Sequence, residues 1–228
     1  MTDKLHDARA AIDQIDDEIL DLICRRMALS AAVAKAKSGA VTYRPGREAE
    51  IFTRLAASAP DLPASISRNI WRQIMTASSA AQDHTVSVAA LASAMPTASW
   101  HFGGQLKVVP CQTMSSMQSA MTDGMQYAII PVDAGEALAS WLIEDASYHV
   151  IAATPFGVRA NEGDSLPSCY LIGRRPADAA MHESTLVAHM EDGMARIDVI
   201  AGRLDEPLAG HGLPARVIGV IATLPKTD

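Results

Sequence analysis

Positions 5, 8, 12, 15, 19, 22, 26, 29, 33 and 36 of this chain step by three and four, and nine of the ten are apolar: Leu5, Ala8, Ile12, Ile15, Ile19, Leu22, Leu29, Val33 and Ala36. This spacing specifies an unbroken amphipathic helix of coiled-coil type over 5–36, with one face built to pack along its whole length. The tenth position is Arg26. A guanidinium on a packing seam is costly unless an anion meets it, so the pattern itself calls for something negatively charged at that point.

With 228 residues and 49% apolar content, the chain has room for one large domain or two small ones around a buried core. No apolar run approaches the roughly 18–20 residues of a membrane span, and Met1-Thr2-Asp3-Lys4 opens no signal-peptide core, so a cytoplasmic protein with no membrane partner is expected. Cys24, Cys111 and Cys169 are odd in number and outside any C-x-x-C pattern, which argues against a disulfide framework or a zinc site. No G-x-G-x-x-G, Walker A or H-E-x-x-H pattern occurs, and no nucleotide or metal cofactor is expected. Residues 1–84 hold 11 Lys+Arg and 11 Asp+Glu, whereas 85–228 hold 8 and 15 and carry the whole net charge of −7. Neither part has the basic excess of a nucleic-acid binder. A small anion needs only a few cations in one place, and the first part can supply them.

The first helix should stop at Ser38-Gly39, where glycine offers a C-terminal cap. A second helix is expected over 46–58, with Ile51 and Leu55 on one face, broken by Pro60-Asp61-Leu62-Pro63. A third runs over 63–82. Its apolar line Ile66, Ile70, Ile74 continues at the same i+4 steps into Ser78 and Gln82. Beyond Asp83-His84 the texture changes to short apolar runs. Strands are expected at 86–91, 106–109, 127–132, 150–153, 169–172, 186–190 and 217–222, with helices at 113–123, 135–144 and 192–204. Met114, Met117, Met121 and Met125 recur at helical spacing and read as core rather than as a soft binding face. The expected architecture is an all-α N-terminal three-helix domain, 1–84, followed by an α/β domain of smaller elements, 85–228.

On an ideal helix Arg26 and Lys37 lie about 16 Å apart along the axis and about 20° apart around it, on one face, with a gap suited to one small molecule. Arg9 lies about 25 Å from Arg26 along the same helix. It can serve the same site only if a second chain, running antiparallel, brings it there, which points to a homodimer with shared sites. Two guanidiniums and an ammonium suit a dicarboxylate. Arg47 and Glu48 add a cation and a hydroxyl acceptor, and Ser78 and Gln82 add neutral donors. No nucleophile is paired with a base in this set, so chemistry there would rest on positioning and electrostatics. Asp16-Asp17-Glu18 point different ways around a helix and read as a solvated face, not a metal site.

The residues Arg9-x-x-Ile12-Asp13-x-Ile15-Asp16-x-x-Ile19-Leu20-x-Leu22-Ile23-x-Arg25-Arg26-Met27, Val33-Ala34-x-Ala36-Lys37, Pro45-x-Arg47-Glu48 and Ile74-x-x-x-Ser78-x-x-x-Gln82 closely resemble the all-helical, type II chorismate mutases over 5–84. The resemblance implies an intertwined helical dimer and the Claisen rearrangement of chorismate to prephenate, a step of phenylalanine and tyrosine biosynthesis that needs no cofactor. It also implies roles. Arg9 from the partner chain and Arg26 hold the two carboxylates with help from Ser78, Lys37 and Gln82 address the ether oxygen, and Arg47 and Glu48 address the ring hydroxyl. The family often offers a further acidic group three residues before Arg47, where this chain has Arg44. Isochorismate pyruvate lyase, which resembles the same family, and a non-enzymatic chorismate sensor or partner-activating protein are the alternatives.

Residues 108–132 are weakly similar to the first lobe of prephenate dehydratases. That family's Thr-Arg-Phe signature would fall near Pro167-Ser168-Cys169-Tyr170, without its threonine and arginine, and 158–165 is short for a second lobe. The stretch from 186 into 192 faintly resembles the start of an ACT domain. The expectation is a non-catalytic remnant serving stability, dimer contacts or ligand sensing.

Overall fold

The helix specified by the three-and-four spacing is α1, Thr2–Ala36, in a computed structural model that describes residues 2–36, 43–155, 168–207 and 214–224. Lys37, the Ser38-Gly39 stop and the 158–165 stretch lie outside the described residues. Two shorter helices follow, α2 (Pro45–Ser58), with proline in its first turn, and α3 (Ala64–Gln82). No helix among the described residues is long and apolar enough to cross a membrane.

Burial on these helices departs from the expected pattern. Of the ten seam positions on α1 only Arg26 is half-covered, and Leu5, Ile12, Ile15, Ile19, Leu22, Leu29 and Val33 are 48% to 69% exposed. The face that α1 turns to α3 is instead Ile23, Arg26, Met27, Ser30 and Ala34. On α3 the line Ile66 and Ile70 is also exposed, while Arg68, Arg72, Met75, Thr76 and Ser78 are buried. A single chain thus covers the polar side of α3 and leaves the apolar side open.

The rest is an α/β region around one eight-stranded mixed sheet in the order β2-β1-β3-β5-β4-β8-β6-β7. Its strands are β1 (Ser87–Leu91), β2 (Lys107–Cys111), β3 (Tyr127–Pro131), β4 (His149–Thr154), β5 (Cys169–Gly173), β6 (Glu183–Glu191), β7 (Met194–Ala201) and β8 (Ala215–Ala222). The strands β2, β1 and β3 are parallel neighbours, and the apolar runs of β1 and β3 are buried almost throughout, as in a sheet covered on both faces. The helices of this region are α4 (Met95–Phe102), α5 (Met114–Thr122) and α6 (Gly135–Glu144). Thr113 caps α5 in a reciprocal box with Ser116, and Met117 and Met121 are fully buried, as core methionines should be.

Two elements differ from the sequence reading. The helix expected at 192–204 is strand β7, because Asp192 (φ 50°) and Gly193 (φ 79°) both take the left-handed conformation that closes a tight hairpin to β6. Helix α4 was not anticipated. It is short, opens on Met95-Pro96 and closes on Gly103 at φ 57°, and its sequence MPTASWHF lacks a polar face.

The helices and the sheet share packing. Ala49 and Phe52 of α2 and Met75 of α3 form a small core with Ala222 of β8. At the beginning of α2 the amide N–H groups of Gly46 and Arg47 donate to the carboxylate of Asp178 at 2.9 and 3.2 Å, and Arg44 pairs with the same group at 3.2 Å. Within the sheet, β8 crosses close to β4 at Gly219, where an added Cβ would strike the backbone carbonyl of Val150. Gly219→Ala should therefore lower stability by about 1–3 kcal/mol in urea unfolding, the usual cost of overpacking a closed core. An unchanged midpoint would show that β4 and β8 are free to separate.

Candidate functional site

Helix α3 carries two polar faces that do different things. Along one, Ser78 and Gln82 meet α1. The Arg26 Nη1–H donates to Ser78 Oγ at 2.8 Å, and the Ser78 hydroxyl sits 2.8 Å from the Ile74 carbonyl and 3.1 Å from Met27 Sδ. One turn on, the Gln82 amide donates to Ser30 Oγ at 2.7 Å. Burial pushes the Arg26 guanidinium below its ordinary value. Among the described residues no carboxylate pairs with it, so it is a half-desolvated cation held by one neutral acceptor. Such a group is well placed to receive an anion.

The other expected residues fall elsewhere. Arg9 is exposed on α1, about 25 Å from Arg26 along the axis. Lys37 lies outside the described residues. Arg47 is exposed and pairs with Glu50 at 2.7 Å. Glu48 is buried, and Arg72 holds both of its carboxylate oxygens, at 2.5 and 2.8 Å. Arg72 precedes Ser78 by six residues, which places the two about 120° apart around α3. The structure therefore brings Arg26, Ser78 and Gln82 together and turns the Glu48 carboxylate to another side of the helix. Ser30, which joins them, was missed in the sequence, although it lies one turn after Arg26 on the same face.

The second face of α3 is a buried polar node. Arg72 also reaches His101 Nε2 at 3.3 Å, and His101 Nδ1 lies 2.8 Å from Thr154 Oγ1. Burial, reinforced by the neighbouring Arg72 charge, holds the His101 imidazole well below its ordinary 6.5, so the ring is neutral. Because Arg72 can only donate, Nε2 must accept and Nδ1–H must donate to Thr154, which fixes the tautomer. Burial alone would lower the Arg72 value, but the Glu48 charge and hydrogen bonds outweigh it and the net shift is upward. Thr76 Oγ1 donates to the His101 carbonyl at 2.9 Å, and the Tyr43 ring lies edge-on to the imidazole at 5.6 Å. This node ties α2 and α3 to α4 and β4. It contains no nucleophile. Elsewhere in the sheet, burial pushes the Cys169 thiol up to about 11, which makes it a poor one.

A model of the family described as chorismate mutase type II matches residues 8–83, about a third of the chain and nearly the whole helical segment. No curated protein and no solved structure matches the chain.

Two outcomes test the node. Arg72→Met alone should cost about 3–5 kcal/mol, since it strands the buried Glu48 charge, and the pair Glu48→Leu with Arg72→Met should recover much of that loss. Equal losses in the single and the double variant would mean that the stranded Glu48 charge is not the source of the loss. His101 gives the pH dependence. Its folded value is depressed, so its contribution is complete above 6.5 and is lost as the pH falls, when the unfolded chain takes up a proton that the folded ring refuses. Stability should therefore fall between pH 7.5 and 5.5, by on the order of 1 kcal/mol for one proton, and denaturant unfolding of His101→Gln should lack that component.

Proposed function

We propose that the chain is a chorismate mutase, rearranging chorismate to prephenate at a site built on the α1–α3 seam. The observation that carries this reading is Arg26, half-desolvated and held by Ser78 next to Gln82, within the segment that matches the family model. Arg26 binds a substrate carboxylate, and Gln82, with Lys37, stabilises the negative charge that builds on the ether oxygen as the carbon–oxygen bond breaks. Donors aimed at that charge act mainly in the transition state. The arginines fold a flexible dicarboxylate into its reactive shape. No covalent intermediate or cofactor takes part. Because Glu48 is committed to Arg72, the ring hydroxyl is addressed less directly than the ether oxygen.

The working form is a homodimer. The open apolar stripe of α1, with Ile66 and Ile70 of α3, is the surface a second copy would cover, and an antiparallel partner would carry its Arg9 to Arg26. The α/β region takes no part in the rearrangement and supports the helices from outside. The step belongs to aromatic amino-acid biosynthesis in the cytoplasm.

Chorismate turnover by the full chain tests this reading. Gln82→Ala should lower kcat about 100-fold with a smaller change in KM, whereas Arg9→Ala and Arg26→Ala should raise KM strongly. Ile15→Arg, on the open stripe, should give a monomer in sedimentation velocity and abolish turnover. Chorismate binding without turnover would overturn the enzymatic reading, and an active Ile15→Arg monomer would overturn the shared site.

A further inference from the structure

A cleft of about 790 Å³ opens where the beginning of α2 meets the amino ends of β1, β3 and β4, and neither Arg26, Ser78 nor Gln82 lines it. Its size is that of a small-molecule site. The position is unusual for an open α/β sheet, whose ligands normally gather at the carboxyl ends of the parallel strands. It exists because Asp178, in the segment after β5, holds the start of α2 over this edge.

The lining has two characters. One wall is aromatic and apolar, with the rings of Tyr43 and Tyr127 edge to face at 5.8 Å and inclined by 68°, beside Met125 and Ile151. The rim carries three guanidiniums, Arg44, Arg174 and Arg175, against two carboxylates, Asp83 and Asp178, in a chain whose net charge is −7. Most of these charges are already committed. Asp178 holds Arg44 and the α2 amides. Arg174 donates to the Met121 carbonyl at 2.6 Å and lies over the Tyr148 ring at 4.7 Å. Asp83 accepts from the hydroxyl and the amide of Thr85. Arg175 is different: among the described residues no carboxylate pairs with it, and it lines the same cleft as Tyr127.

We propose that this cleft binds a small aromatic carboxylate, its ring against Tyr43 and Tyr127 and its carboxylate on Arg175. A neutral ring would gain the wall but leave the guanidinium in water. A polyanion would meet Asp83 and Asp178. One flat ring with one carboxylate satisfies both surfaces.

Calorimetric titration of the full chain with 3-phenylpropanoate, and with its uncharged amide as control, tests the site. The acid should bind one per chain and the amide about tenfold more weakly, the difference expected for one charge-assisted contact. Arg175→Ala should weaken the acid about tenfold and remove its advantage over the amide, while Arg26→Ala should leave acid binding unchanged. Absence of binding at millimolar acid, equal affinity for acid and amide, or loss of binding in Arg26→Ala in place of Arg175→Ala would each overturn the proposal. The last result would place the acid at the α1–α3 cation, so the fate of this cleft is read separately from that of the proposed mutase site.

Discussion

The ion pair between Arg72 and Glu48 is the contact on which the placement of the helices turns. Both side chains are taken out of water, at 1% and 8% exposure, a transfer that costs several kcal/mol per charge before any contact is made. The cost is met by paired hydrogen bonds to the carboxylate and by keeping the third neighbour, His101, uncharged. The same imidazole bonds to Thr154 on β4, and the His101 backbone carbonyl accepts from the Thr76 hydroxyl of α3. One buried node therefore sets where α3 lies relative to the sheet. Since Ser78 and Gln82 are on the next turns of the same helix, it also sets which part of α1 they meet.

The two long helices invert the usual distribution of side chains. Arg68, Arg72, Thr76 and Ser78 are covered, while Ile66, Ile70 and the α1 stripe remain in water. A single chain gains little from an exposed row of isoleucines and leucines, and such a row extends over most of a 35-residue helix. The polar side of α3 has found its partners inside the chain, and the apolar side is the part still unmatched.

Much of this was legible in the residues. The three-and-four spacing of α1 and the proline and glycine breaks gave the three helices close to their observed limits, because local periodicity and punctuation decide those boundaries. Seven apolar runs fell on strands for the same reason. Strand β7 was misread because Ala195, Ile197, Val199 and Ile200 fit a loose helical period, although Asp192-Gly193 before them was the better signal. The seam on α1 was visible, but not that the chain would leave it bare, since coverage depends on what packs against a helix and not on the helix itself. Glu48 was expected at a ligand for the same kind of reason. Its partner, Arg72, is 24 residues away on another helix, and no local pattern announces that pairing. The i+4 line of Arg68, Arg72 and Thr76 was there to be seen beside the isoleucines, but charged residues on a helix are ordinarily taken for its wet side.

The cap on α2 has a consequence in time. The amides of Gly46 and Arg47 are satisfied by Asp178, which follows them by more than 130 positions in the chain. A ribosome delivers residues in order, so the early helices emerge well before the carboxylate that completes the start of α2, and before the strand that holds His101 through Thr154. Until then the buried arginine of α3 has its glutamate but not its full setting. The N-terminal helices are therefore finished from behind, by parts of the chain made later.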